Sequence, residues 1–458
     1  VRHYLAAPVI VTFVSAIIGN ILGYTVFKEL IVYMYYSNYS LPTYVTLWNP
    51  DAFIKTTIIP VVLMFVINLL VLIRMLRHTP LQFLRCDLKK NKRKKAMRLP
   101  RWNFLSRFRL RIIFQNIPNY LILFVGIAFI SIMLAMAIGM PSTLQYYKDN
   151  TKDMMFADYQ YVLKSYKDET GKEITTKNSD AEKFSMDSLL YKTDALDEEV
   201  SIYGVEDTSK YISLPDAKNL KEKEVYISKP FSDKYDVAVG DTVTLNAKYE
   251  KKKYLFKVKG FFEHSQSIAV FMPIEQYRTV FDKDEDAFDG FFTNTKIKDV
   301  KKDYIATVIT EREITKMSNQ LDHTMGSYML YFQFLCVVLS AVLIYLLTKI
   351  IIEKNEVAIS MTKILGYTDG EIAKLYLLAT TIVVIICAAL SVLVGTLVMR
   401  SVWTVMLQSM SGWFTFIMGP LDYFKMFAFI FVGYLVVMLF DFRRIRKIPL
   451  DEALKRVE

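Results

Sequence analysis

The chain has 458 residues, 53% of them hydrophobic and 14% aromatic, with a formal net charge of +11. That is too apolar for an ordinary soluble domain, so the first question is where uncharged runs reach the ~20 residues a helix needs to cross a bilayer. Three cysteines, at positions 86, 336 and 387, are too few and too scattered to be a disulfide framework.

Five runs qualify in chain order: Leu5–Phe27, Thr56–Ile73, Asn119–Tyr147, Thr324–Thr348 and Leu375–Met399. A sixth, Met426–Phe440, is short but can begin near Leu421, with Asp422 and Lys425 at its rim. A mid-helix charge costs about 2.5–3.5 kcal/mol on insertion scales, so charge-free stretches of this length predict six membrane spans. The first run is not a signal peptide. It holds 23 uncharged residues and lacks both a basic leader and a small-residue cleavage site.

Charge asymmetry predicts the orientation. Residues 74–118 hold fourteen Lys/Arg against one acid, Asp87, whereas 141–325 hold 28 against 34. The positive-inside rule places the basic segment in the cytoplasm. Counting spans from there puts both termini and 349–374 inside, and leaves 28–55, 400–421 and the acidic segment outside. The basic tail "FRRIRKIPL" agrees. The expected location is the plasma membrane, multi-pass, with both termini cytoplasmic and the large domain extracytoplasmic.

An internal repeat organises the chain. Arg74, Arg77, Pro80 and Leu81 correspond to Arg443, Arg446, Pro449 and Leu450 at a constant offset of 369. "YLAA" at 4–7 corresponds to "YLLA" at 376–379, and Gly23 to Gly395, at an offset of 372. The repeat predicts the last two spans of a first module (1–85), a basic connector with an interfacial helix (86–118) and a complete second module. The second module would comprise a span (119–143), an extracytoplasmic α+β domain on a helical stalk (144–323), and three spans with a cytoplasmic element and a basic tail (324–458). On this reading the sequence is the C-terminal part of a permease with about eight spans.

In the connector, "DLKKNKRKKAMRLPR" reads as a solvated face on anionic headgroups, each basic residue contributing about 1 kcal/mol near the surface. Anionic lipids are therefore expected at 89–111, and nucleic acid is not. "FLSRFRLRIIFQN" places Phe104, Leu105, Phe108 and Ile112 on one helical face, as in a helix lying in the interface plane. Pro118 suits the first turn of the next span. In the acidic segment, 225–228, 241–249 and 254–262 read as strands with Gly240 and Gly260 as breakers. Residues 273–281 read as a short helix, 304–310 as a further strand, and 166–200 as polar with weak periodicity. The fold class is thus membrane α-helical with an α+β domain held above the bilayer.

Chemistry-bearing motifs are absent from the sequence. No G-x-x-x-x-G-K-[ST] or G-x-S-x-G occurs, and His3, His78, His264 and His323 lack metal-ligand spacing. Catalytic residues, metal and cofactor are each expected to be none. Cys336 and Cys387 read as small apolar filler, and Gly19, Gly23 and Gly126 as positions of close helix packing. The patterned exception is "EKNEVAISMTKILGYTDGEIAKLY", 353–376. Val357, Met361, Ile364 and Leu365 recur at helical spacing, and Gly366 can end that helix. Thr368 or Asp369 can cap the next, with Glu371 in its first turn. An amphipathic helix–turn–helix results, read either as an inert elbow or as a docking surface for a cytoplasmic partner.

This segment resembles the coupling element of FtsX/MacB-type ABC permeases. The matching residues are Glu356, Ala358, Lys363, Ile364, Leu365, Gly366, Tyr367, Glu371 and Ile372. The resemblance extends over the second module: span order, the large domain after its first span, the "VGDTVTL…FKVKGFF" strands, and a basic exit ending in Pro-Leu. It implies a permease, not itself an enzyme, coupled at those nine residues to a separate ATPase dimer that binds the ATP. It also implies extraction or expulsion of a lipid, lipopeptide or peptide from the outer leaflet. The polar insert near 166–200 departs from the common pattern and leaves the domain's ligand open. A second reading is a signal-transmitting receptor, with a sensor kinase as partner or a wall enzyme to activate. A secondary transporter is disfavoured because intramembrane charges and broken helices are missing.

Overall fold

The computed structural model describes residues 2–38, 42–76, 103–193, 195–215, 217–265 and 267–449. It contains two compact units, Val1–Arg107 and Phe108–Glu458. Among the described residues six helices are long and apolar enough to cross a membrane: Leu5–Tyr33, Pro50–Arg74, Ile117–Asp149, Tyr328–Lys354, Asp369–Gln408 and Pro420–Lys447. Most of the basic connector, with Cys86 and His78, lies outside the described residues. So do Arg77, Pro80 and Leu81 of the repeat and the tail from Leu450.

In the first unit, α1 (Arg2–Leu22) runs through a π-helical turn (Gly23–Phe27) into α2 (Lys28–Asn38), and a loop returns to α3 (Pro50–Leu76). The Asn20 amide donates to Thr57 Oγ1 at 2.8 Å and accepts from Thr56 Oγ1 at 2.7 Å. Polar side chains on apolar helices need such partners, because hydrocarbon offers none. In the loop, Trp48 stacks on Tyr24 with ring centroids 4.7 Å apart. The expected close packing at Gly19 and Gly23 is not found: a methyl group added at either would meet nothing within 4 Å.

The second unit begins in α4 (Phe104–Gln115), which is followed by α5 (Ile117–Asp149) with proline in its first turn. The chain then builds a sheet domain: β1 (Tyr159–Leu163), β2 (Glu182–Lys192), β3 (Asp197–Val205), β4 (Glu224–Ser228), α6 (Lys229–Tyr235), β5 (Thr242–Ala247), β6 (Lys253–Phe262), β7 (Ala269–Pro273), α7 (Ile274–Phe281), β8 (Gly290–Thr293) and β9 (Ile305–Thr310). The strand order is β3-β7-β4-β6-β5-β2-β8-β1-β9, and β2 also pairs with β3. That extra pairing closes six strands into a ring around Val200, Ile202, Phe231, Leu245, Phe256 and Met272. Strands β8, β1 and β9 extend from the ring as an antiparallel tail.

Two expectations are corrected in this domain. The 166–200 stretch contains β2 and the start of β3. Strand β2 pairs along its edges with three neighbours and has buried residues on both faces, so no clean alternation shows in its sequence. Gly260 is no strand breaker either. It lies inside β6 where the register with β4 shifts, and an added Cβ would sit 2.6 Å from the Tyr226 ring.

The chain returns through α8 (Glu311–Lys354), a short α9 (Glu356–Ile364), α10 (Asp369–Gln408) and α11 (Pro420–Lys447). Helices α5, α8, α10 and α11 share one core, which includes Leu123, Ile127, Ile344, Val384, Ile430 and Tyr434. Cys336 and Cys387 are buried in it. The close approach is at Gly395 and not at Gly126. A Cβ on Gly395 would lie 2.6 Å from the Ser131 Cβ, one on Gly433 would come within 3.4 Å of the Ala341 nitrogen, and one on Gly126 would make only ordinary contacts at 3.9 Å. At the start of α11, Asp422 accepts from the Gly419 N–H at 3.0 Å and pairs with Lys425 at 3.3 Å, so the polar rim of the sixth span is a helix cap.

Candidate functional site

Two structures lie at opposite ends of α8: an elbow after Lys354 and a strap that reaches the sheet domain. Helix α8 is one continuous element of 44 residues, about 66 Å long at ~1.5 Å per residue. One of its ends follows β9 directly and the other enters the elbow.

The elbow is a run of helix ends, each satisfied locally. Asn355 closes α8, and its carbonyl accepts from Ile359 N–H at 2.9 Å inside α9. Helix α9 ends at Gly366, where φ is +90°. There Gly366 N–H donates to Lys363 O at 3.0 Å and Tyr367 N–H to Thr362 O at 3.4 Å. These paired bonds form a Schellman motif, which requires a left-handed residue where glycine sits. Thr368 then caps α10 in a capping box: its N–H donates to Glu371 Oε2 at 2.9 Å and its Oγ1 accepts from Glu371 N–H at 3.4 Å.

A small apolar plug seats the elbow. Ile359, Ile372, Tyr376, Ile445, Ile448 and Ile112 pack together, with the Phe108 ring edge-on to Tyr376 at 6.1 Å. The apolar face of α4 covers protein at Phe108 and Ile112. Without α4 the plug would leave apolar surface open, and covering it releases about 25 cal/mol per Å². The Lys363 ammonium, its side chain only 9% exposed, lies 3.1 Å from Asp369 and donates to Arg446 O at 3.1 Å and Ile448 O at 3.0 Å. It holds the last carbonyls of α11, which a helix end leaves unpaired. Arg444 pairs with Glu353 at 2.7 Å and ties α11 to α8.

The nine residues singled out from sequence fall into two groups. Lys363, Gly366, Glu371 and Ile372 build the elbow, and Glu356 stands half-buried in the first turn of α9. Ala358, Ile364, Leu365 and Tyr367 are exposed, and Met361 joins them. Leu365 is 71% exposed, the most open of these apolar side chains. The expected stripe of Val357, Met361, Ile364 and Leu365 therefore mostly faces away from the protein, while Ile359 and Ser360 are buried.

The strap, residues 409–419, has no counterpart in the sequence reading. Below, it is bonded to α5: Thr143 Oγ1 donates to Ile417 O at 2.9 Å and accepts from Ile417 N–H at 3.0 Å, and Thr415 N–H donates to the Tyr147 oxygen at 3.0 Å. The Trp403 indole donates to Phe414 O at 3.1 Å, and Gly139 makes room for the Phe416 ring. Above, the strap is locked to the sheet domain by Glu198 of β3 and Lys234 of α6, an ion pair with both side chains almost wholly buried. Glu198 also accepts from Gly412 N–H at 2.9 Å, Ser411 Oγ at 3.0 Å and Tyr235 OH at 2.9 Å. Lys234 also donates to Met410 O at 2.7 Å and Gly412 O at 3.1 Å. Burial, reinforced by Glu198, pushes the Tyr235 hydroxyl well above its usual range. In sequence, "LDEEV" and "SDKYD" look like ordinary polar surface, so nothing there marks the pair. Asp441 escaped notice in the same way: it reads as part of a basic exit, yet it is buried, with one carboxylate oxygen unpartnered among the described residues.

Among the described residues no cluster of His, Cys, Asp or Glu could hold a metal ion. The arrangement comprises a seated elbow with an exposed apolar edge, one continuous helix, and a second attachment of the sheet domain through the strap.

Residues 330–450 match the family profile of the FtsX-like permease C-terminal domain. A comparison with curated proteins gave no match. Among solved structures, the extracellular domain of the noncanonical ABC-type transporter YknZ from Gram-positive bacteria aligns over 36% of this chain and 95% of its own, at 11% identity and a TM-score of 0.21.

Proposed function

We propose that this chain, an FtsX-like permease over residues 330–450, is the membrane subunit of an ABC transporter that couples a separate cytoplasmic ATPase to work on the far side of the bilayer. The observation that carries this reading is the elbow: Met361, Ile364, Leu365 and Tyr367 stand exposed on a base fixed by Lys363, the Schellman turn and the capping box. An exposed apolar edge on a rigid base suits a protein partner, because little ordering entropy remains to be lost on binding. The charge asymmetry places this edge in the cytoplasm, together with both termini, and the sheet domain outside. Nucleotide-driven closure of the ATPase dimer would push the elbow. Helix α8 would carry the displacement to β9, and the strap would keep the domain in step with α5 and α10.

The work is extraction or expulsion of a lipid, lipopeptide or peptide from the outer leaflet. The offsets between 1–85 and the C-terminal half support reading 1–85 as equivalent to the last two spans of that half. The test is capture of the ATPase on the full-length protein in detergent. Leu365→Asp should weaken capture at least about tenfold, the order expected for losing a buried anchor, and leave the melting temperature of the permease unchanged. Unchanged capture in Leu365→Asp combined with Ile364→Asp would sink the docking claim.

A further inference from the structure

Charge in the sheet domain is segregated. Residues 218–259 hold eleven lysines against six acids, whereas the remainder of 141–325 holds 17 Lys/Arg against 28. Several of these lysines line one face. In β6, Phe256 and Val258 fill the ring, and Lys253, Leu255, Lys257 and Lys259 stand exposed on the opposite side. The two-residue period spaces such positions about 7 Å apart. Strand β5 lays Thr242 beside Lys257, Thr244 beside Leu255 and Asn246 beside Lys253. On the other flank, Lys223 is fixed in the left-handed conformation at φ +71°, and its carbonyl accepts from Lys257 N–H at 2.8 Å.

The row is not neutralised by the protein. Among the described residues the ion pairs of the sheet domain use Lys167, Lys183, Lys210, Lys229, Lys234 and Lys248. Lys223, Lys253, Lys257 and Lys259 take part in none of them. The bordering acids are turned to backbone: Glu224, opposite Lys257, accepts from Lys221 N–H at 3.2 Å, and Asp241 from Ala238 N–H at 2.8 Å. One exposed lysine gains little from one anion. A polymer that engages several at once adds the contacts while incurring the cost of association once.

The face also discriminates by what it carries. Its outward positions are Lys, Leu, Thr and Asn, with no aromatic ring on which a base or sugar could stack. The lysine ammonium binds phosphate as a point charge. Leu255, 55% exposed, sets an apolar step between Lys253 and Lys257 that suits a carbon linker between two phosphates. We infer that this face binds a linear polyol-phosphate polymer, an extended chain of phosphodiesters without rings. The inference goes beyond the proposed function and shares with it only the outward placement of the sheet domain.

The test uses the full chain with Cys86→Ser and Tyr249→Cys in phosphatidylcholine nanodiscs. A fluorophore at position 249, in the turn between β5 and β6, reports contact with a glycerol-phosphate decamer carrying a quencher. Binding at the basic connector, across the bilayer, stays silent. Quenching should saturate and weaken roughly fiftyfold between 50 and 200 mM salt, the steepness of about four phosphate contacts. Lys253→Gln, Lys257→Gln and Lys259→Gln combined should weaken binding about tenfold, the order for three exposed contacts. Leu255→Glu, which keeps the lysines and places an anion among them, should weaken it about fivefold. Lys296→Gln, Lys298→Gln and Lys302→Gln combined remove the same charge from exposed positions near β9 and should leave it within about twofold. Equal loss in the two triple variants overturns the proposal, as does quenching that neither the row variant nor Leu255→Glu reduces. Hyaluronate, a ringed polyanion, competing as well as unlabelled decamer at equal charge overturns the polymer class. Quencher-bearing phosphatidylglycerol vesicles that engage the row when the decamer does not would make it a membrane contact and also overturn it. ATPase capture on the same preparations keeps the two readings apart: capture without quenching rejects this face alone.

Discussion

Gly366 holds φ at +90° with nothing within 4 Å of an added Cβ. Space is therefore no obstacle to a larger residue there, and backbone conformation is. Gly366→Ala should cost about 1 kcal/mol through left-handed strain. It should lower the melting temperature slightly and weaken ATPase capture by about fivefold at most, since the turn is loosened and not removed. A loss greater than that of Leu365→Asp would mean that the turn itself is the contact. Lys363 makes the complementary point. It was singled out as a coupling residue, yet its ammonium faces inward onto carbonyls of α11 and Asp369. On the proposed function it would position the exposed edge beside it.

At the scale of elements, the sheet domain is joined to the helices by two stalk helices and by the strap. Glu198 and Lys234 decide how tightly the strap holds. Burying such a pair is costly in itself, but removing one partner leaves an uncompensated charge and costs about 3–5 kcal/mol. Lys234→Met and Glu198→Gln should each destabilise the full chain by that order in chemical unfolding. Each should also raise hydrogen exchange at 410–417, where the bonds to Met410, Ser411 and Gly412 are lost. The double variant should fall short of the sum of the singles, because both remove the same interaction. Strict additivity would mean that the two side chains act separately. Helix α4 shows how neighbours redirect an element. Its amphipathic pattern was legible, but the available plug of Ile359, Ile372 and Ile445 determined that Phe108 and Ile112 cover protein.

For the molecule as a whole, orientation is the central expectation, and it rests on charge asymmetry across the bilayer. In a Cys86→Ser background, Tyr249→Cys, on a side chain 95% exposed in the sheet domain, should react with a membrane-impermeant maleimide from outside intact cells. Leu365→Cys should react only after permeabilisation. The reverse pattern would invert the topology and the proposed function with it. Cys336 and Cys387 are buried in the helix core and should stay silent.

The six spans, the strands at 224–228, 242–247 and 253–262, the helix at 274–281 and the elbow were legible in the sequence, because each follows from a local rule. Apolar length sets the spans, period-two alternation the strands, and Gly366 with Thr368 and Glu371 the turn between two helices. Only the tertiary structure showed that β2 closes a ring, that Gly139 and Gly395 are close-packed glycines of the helix core, and that Gln160, Glu198, Lys234 and Asp441 are buried. Burial of a polar residue is decided by partners distant in sequence. Glu198 and Gly412 are more than 200 positions apart, and a reading of local pattern assigns such residues to the surface, where most of their kind are found.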